Sequence, residues 1–100
     1  MAVKGATKER TSSRVQEPKR YRVIMHNDDF TTMEFVVEVL MDIFRKSAAE
    51  AEQLMLFVHQ NGKAIVGVYP YDIAKTKIAQ TLARARDAGF PFRVTMEESE

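Results

Sequence analysis

The 100-residue chain contains no cysteine and no tryptophan, and only two histidines and three prolines. Without thiols there is no disulfide and no thiolate nucleophile, and a zinc site would have to be assembled from His26, His59 and carboxylates. Long apolar runs are missing too. No stretch approaches the roughly 18 residues that a bilayer span requires, and Met1-Ala2-Val3-Lys4-Gly5 is not followed by an apolar segment of signal-peptide length. The expectation is a cytoplasmic protein with no membrane contact. A paired-histidine zinc motif, a nucleophile elbow and a phosphate-cradling glycine loop are all absent. The chain is therefore expected to have no catalytic activity and no cofactor; a small metal-dependent hydrolase using Asp28, Asp29 and His59 stands as an alternative.

Hydrophobic residues make up 45% of the chain, enough for one modest core in one small domain. Net charge is only +1, yet it is unevenly spread. Residues 1 to 20 hold six basic residues (Lys4, Lys8, Arg10, Arg14, Lys19, Arg20) against Glu9 and Glu17, so +4 sits there and −3 remains for the rest. The basic segment has no aromatic residue for base stacking and the body has no broad basic stripe, so nucleic acid is not expected as a partner.

Residues 1 to 19 carry too little apolar surface to offset the entropy of ordering, and predict a disordered N-terminal arm. Fully extended, it would reach about 60 Å. A domain over residues 20–98 follows. Tyr21 to Met25 is rich in aromatic and β-branched residues and predicts a strand, broken by Asn27, Asp28 and Asp29. Thr31 with Glu34 fits a capping box, and Met33, Val36, Val37, Leu40, Ile43 and Phe44 recur at helical spacing, predicting a helix over Thr32 to Arg45. Ser47 with Glu50 repeats the capping pattern before a second helix, Ala48 to Gln60, with Gly62 at its end. Lys63 to Tyr69 alternates as a strand. A third helix fits Tyr71 to Ala88, with Ile73, Ile78, Leu82 and Ala85 toward the core and Gly89 as its stop. Phe92, Val94 and Met96 mark a last strand. The fold class is α+β: β-α-α-β-α-β, a three-stranded antiparallel sheet packed on three helices.

Taken singly, Asn-Asp-Asp between strand and helix reads as turn and cap chemistry, His59 as a structural or surface histidine, and Met33 and Met55 as core fillers. Together they match a different need. A site that grips a free peptide N-terminus requires acceptors for an ammonium group beside a cavity for an apolar side chain. Asp28 offers charge and acceptor oxygens, the Asn27 amide a neutral acceptor, and neutral His59 one more. Thr31, Met33, Val36 and Met55 can line the cavity, with Met55 and His59 one turn apart on one helical face. A scaffold that binds an internal helix or strand of its partner is the second alternative.

The segments Asn27-Asp28-Asp29-Phe30-Thr31-Thr32-Met33-Glu34-Phe35-Val36-Val37-Glu38-Val39-Leu40 and Gln53-Leu54-Met55-Leu56-Phe57-Val58-His59-Gln60-Asn61-Gly62-Lys63-Ala64 resemble the ClpS adaptor family, over roughly Tyr21 to Glu97. The resemblance implies an N-end rule adaptor. Such an adaptor binds the free α-amino group and large hydrophobic first residue (Leu, Phe, Tyr or Trp) of N-degron substrates, and passes them to a ClpA-like AAA+ unfoldase of the Clp protease. It implies that Asn27, Asp28 and His59 hold the α-amino group, that Asp29 supports the loop or the peptide backbone, and that Thr31, Met33, Val36, Met55 and Phe92 bound the pocket, with Met33 at its mouth. Asp72 and Lys77 match unfoldase-facing positions, and the family uses an N-terminal extension during delivery. The chain departs from the family pattern at Phe92, where leucine is common, at Thr32, where proline is frequent, and at His26, where an apolar residue is frequent. The larger Phe92 ring is expected to narrow or reshape the cavity.

Overall fold

The computed structural model describes residues 18–99. The arm expected over residues 1 to 19 therefore lies outside the described residues, apart from Pro18 and Lys19. The elements follow the expected order: β1 (Arg20–His26), α1 (Met33–Asp42), α2 (Ala48–Asn61), β2 (Lys63–Pro70), α3 (Tyr71–Ala88) and β3 (Arg93–Ser99). The sheet runs β2-β1-β3, and β1 pairs antiparallel with both neighbours.

Alternation along β1 divides the sheet into two faces. Val23 and Met25 point at the helices and are fully buried. They join Val39 and Leu40 of α1, Ala51, Met55 and Val58 of α2, and Ala74 and Ala85 of α3 in one apolar cluster. Each fully buried aliphatic side chain there contributes about 1.5–3 kcal/mol. Arg22, Ile24 and His26 point the other way.

The β1–β2 ladder shifts register between Val23 and Ile24: Ile24 pairs with Ile65, and Val23 with Gly67. Val66 is the extra residue of this bulge, and it is buried at 2% exposure. Two successive β2 residues thus face inward, and the second must be small. A Cβ on Gly67 would collide with the Tyr69 ring.

Three expectations are corrected. α1 starts after Thr32, not Thr31: Thr32 is its N-cap, accepting from Phe35 N–H at 3.2 Å. It also ends at Asp42, three residues before Arg45. There the chain passes through Arg45 in the left-handed region (φ 58°), and Lys46 N–H closes on the Leu40 carbonyl at 3.0 Å. On α3, Ile73 is 46% exposed and does not face the core. The inward stripe is instead Ala74, Thr81 and Ala85, with Ile78 and Leu82 at its margins. Small residues let this helix lie close to the sheet, and the buried Thr81 hydroxyl donates to the Lys77 carbonyl at 2.8 Å.

Candidate functional site

Strand β1 ends where its partners do, at His26 between Lys63 and Arg93. One residue later, Asn27 N–H donates to the Gly62 carbonyl at 2.8 Å. Gly62 terminates α2 in the left-handed region (φ 91°), where glycine carries no Cβ penalty, and its own N–H returns to the Val58 carbonyl at 2.8 Å. This bond brings the Asn-Asp-Asp turn beside the last turn of α2, which carries His59.

Asp28 organises the turn. Its Oδ1 accepts from Phe30 N–H at 2.8 Å and Thr31 N–H at 2.7 Å, and its Oδ2 accepts from the Thr31 hydroxyl at 2.7 Å. Burial works against the charge, but the Thr31 N–H, the Thr31 hydroxyl and the Phe30 N–H together outweigh it, holding the carboxyl below its ordinary range. A carboxylate offers about four lone-pair sites. Three are filled here, so Oδ2 keeps one for a ligand, and Asp28 stays ionised at neutral pH. The Asn27 amide and the His59 ring have no hydrogen bond to other groups among the described residues.

Turn and helices enclose a cavity of about 390 Å³ lined by Asn27, Asp28, Thr31, Met33, Val36, Met55 and His59. With Asp29, which also lines it, eight residues expected from the sequence meet at one place. Val36 and Met55 form an almost fully buried apolar floor. Met33, in the first turn of α1, is 45% exposed, at the mouth. Of two broader depressions, one of about 640 Å³ adjoins this cavity at Met33 and Met55 and one of about 590 Å³ lies beside β2, and neither includes the Asn27, Asp28 and His59 rim.

The other expected site residues fall differently. Phe92 is not on the cavity wall. It is 6% exposed and meets Phe35 edge-on, ring centroids 5.9 Å apart, within the core. The step from common leucine to phenylalanine is thus absorbed by core packing. Asp29 also lines the cavity and is exposed, while the hydrogen bonds seen to hold the turn are those of Asp28. Asp72 is exposed in the first turn of α3. Lys77 is half-buried: its Nζ donates to the Ile43 carbonyl at 2.7 Å and lies 5.3 Å from the Tyr69 ring centroid and 5.7 Å from that of Phe44. Its charge steadies the end of α1.

Three further lining residues were not assigned to the site from the sequence. Val58 was indistinguishable from the rest of the apolar stripe, although it stands three residues after Met55 and so shares its face. Thr32 is the helix cap. Phe30, 72% exposed, is a large apolar ring in an otherwise polar turn, and that mismatch was the available clue. Among the described residues, no group of three or more His, Asp or Glu is gathered in a way that could hold a metal ion, and no helix is long and apolar enough to cross a membrane.

With this geometry established, comparison with known proteins is informative. Residues 16–95 match the family model for the ATP-dependent Clp protease adaptor protein ClpS. The ATP-dependent Clp protease adapter protein ClpS of Oleidesulfovibrio alaskensis is 55% identical over 84 residues, covering 84% of this chain and 81% of its own. That of Acetivibrio thermocellus is 48% identical over 97 residues, covering 97% of this chain and 98% of its own. Among solved structures, Agrobacterium tumefaciens ClpS2 bound to L-phenylalaninamide superposes with a TM-score of 0.80 at 40% identity, covering 83% of this chain and all of that one.

Proposed function

This chain belongs to the ClpS family of Clp protease adaptor proteins, and from that premise we propose that it binds the free α-amino group and large hydrophobic first residue of N-degron substrates and delivers them to a ClpA-like AAA+ unfoldase. The observation that carries this reading is the cavity itself, where an apolar floor lies under the Asp28, Asn27 and His59 rim. An ammonium group donates three hydrogen bonds. The open lone pair of Asp28, the Asn27 amide oxygen and an imidazole nitrogen of His59 are three acceptors of the required kind. The side chain behind the amine, Leu, Phe, Tyr or Trp, would rest on Val36, Met55 and Val58, with Thr31 and Met33 at the mouth. L-phenylalaninamide, bound by the Agrobacterium relative, has this make-up: an amine, a phenyl group and an amide in place of the continuing chain.

Burying a leucine or phenylalanine side chain contributes about 1.5–3 kcal/mol. Each hydrogen bond involving a charged group contributes about 1.5–3 kcal/mol. Two or three of them plus the pocket approach the roughly 8 kcal/mol of a micromolar complex after ordering costs. The amine is the indispensable part. A peptide series differing only in residue one, each member with a free and an acetylated amine, tests this by calorimetry: binding is expected for free Leu, Phe, Tyr and Trp and lost on acetylation. Retained affinity after acetylation would instead point to recognition of an internal segment. For delivery, removal of residues 2–17 is expected to spare peptide binding and impair degradation of an N-degron substrate; equal loss of both would end that part of the proposal.

A further inference from the structure

The sheet face turned away from the helices takes no part in the cavity, and it is neither uniformly polar nor covered. Its side chains form four cross-strand rungs: Lys63–His26–Arg93, Ile65–Ile24–Thr95, Val68–Arg22–Glu97 and Pro70–Arg20–Ser99. The Ile65–Ile24–Thr95 rung and α2 border a groove of about 590 Å³ whose apolar wall is Ile65, Leu54 and Phe57 over a buried Ile24, with Lys63, Arg22 and Glu97 as its charged lining. Ile65 is 52% and Phe57 53% exposed, both large side chains that the core does not use. Arg22 is already engaged, bridging to Glu97 at 3.6 Å and donating to the Glu98 carbonyl at 3.2 Å. Lys63 and Arg93 have no ion pair among the described residues, and His26 Nε2 meets the Thr95 hydroxyl at 2.8 Å between them.

We propose that this face binds an acidic amphipathic segment of a partner protein, with apolar side chains over Ile65, Leu54 and Phe57 and carboxylates against the Lys63–His26–Arg93 rung. Charge complementarity selects this occupant. Lys63 and Arg93 stand on the two outer strands, about 9–10 Å apart by two inter-strand spacings, and a carboxylate set over His26 between them is within reach of both side chains. Burial, Arg93 and Lys63 hold the His26 imidazole below its ordinary value against the opposing pull of Glu97, which records the same positive field. Nucleic acid fits less well, since the Lys63–His26–Arg93 rung gives way at once to an apolar rung and then to Arg22, whose charge Glu97 already meets. A second copy docked two-fold would set the basic rung against Arg22–Glu97, whose carboxylate is already taken.

The probe is a short N-acetylated peptide with leucines on one helical face and glutamates beside them, compared with the same peptide carrying lysine for every glutamate. Acetylation keeps it out of the amine site. Anisotropy titration is expected to show binding that weakens roughly tenfold with the lysine peptide and severalfold in Arg93→Glu, where a repelling charge replaces an attracting one. Phe57→Ser and Ile65→Ser, both exposed, are expected to weaken it as well. All three variants should keep wild-type affinity for a free-amine Phe peptide. In backbone NMR, signals of Ile24, Ile65, Phe57 and Arg93 should move while those of Asp28 and Met33 stay. Equal binding of the lysine peptide, shifts centred on the cavity, no binding, or preference for phosphatidylglycerol vesicles over the acidic peptide would each overturn the proposal.

Discussion

Helices α1 and α2 open on the same four-residue pattern, a hydroxyl residue followed three positions later by glutamate, and they use it in opposite ways. At Ser47 the box is self-contained: its hydroxyl oxygen accepts from Glu50 N–H at 3.1 Å, and Glu50 accepts from Ser47 N–H at 3.1 Å. At Thr31 the hydroxyl turns backward to Asp28, so the cap passes to Thr32 and Glu34 is left exposed. One start serves only its helix. The other ties its helix to the carboxylate that faces the cavity. Local rules give way at functional sites because another interaction competes for the same group, and here the competitor is identifiable.

The sharpest way to break this contrast is Asp28→Asn. The amide oxygen can still accept from Phe30 and Thr31, so the turn should persist, while the charge offered to an incoming amine disappears. Calorimetry is expected to show a loss of about 1.5–3 kcal/mol in peptide binding, roughly tenfold to a hundredfold, with a much smaller fall in folding stability at neutral pH. If fold and binding collapse together, Asp28 is only a turn former.

Removing each cap comes next. Thr32→Ala and Ser47→Ala should each cost about 1 kcal/mol of stability, a fall of about 4–8 °C in Tm for a domain of this size. Only Thr32→Ala should also weaken peptide binding, because α1 begins at the cavity and α2 begins away from it. Equal binding by both variants would mean that the two starts are independent of the site.

Acid offers a milder separation. Hydrogen bonds from the Ser47 N–H and hydroxyl hold Glu50 below its ordinary value, as those from Thr31 and Phe30 do Asp28. Each carboxylate therefore adds stability that is complete above its unfolded value, 4.5 or 3.8, and is lost as pH falls through the depressed folded value. Stability differences between wild type and Glu50→Gln or Asp28→Asn, measured from pH 6 downward, should shrink across that window. Peptide affinity should fall with the Asp28 step alone.

The smallest expected effect on recognition is that of Phe92→Leu. Its ring backs Phe35, whose N–H is the one Thr32 caps. The change should cost about 1 kcal/mol or less in stability and leave the ranking of Leu, Phe, Tyr and Trp peptides as it was. A reordered ranking would show that the core behind α1 tunes the cavity after all.

Much of the architecture was legible because period and punctuation agreed. Ser47, Glu50 and Gly62 framed α2, Pro70 and Gly89 framed α3, and β-branched runs marked β1 and β2. The end of α1 was not legible, since it rests on Arg45 adopting a left-handed turn that sequence normally assigns to glycine, and on Lys77, which is 34 positions distant from Ile43. At the site, the one-turn spacing of Met55 and His59 placed both on the cavity wall. Phe92 misled because position in a pattern does not reveal which way a ring turns in a packed core, and the Thr31 cap misled because a side chain three residues earlier claims its hydroxyl.

Strand β2 holds one further consequence. Most single-residue deletions inside a strand turn everything beyond them over, exchanging wet and dry sides. Val66 stands outside that rule: because it is the unpaired member of the bulge, excising it would rejoin Ile65 to Gly67 with Val68 still outward and Tyr69 still inward. The ladder would become regular at the loss of one buried valine, so this strand is built to be shortened at one point without changing sides.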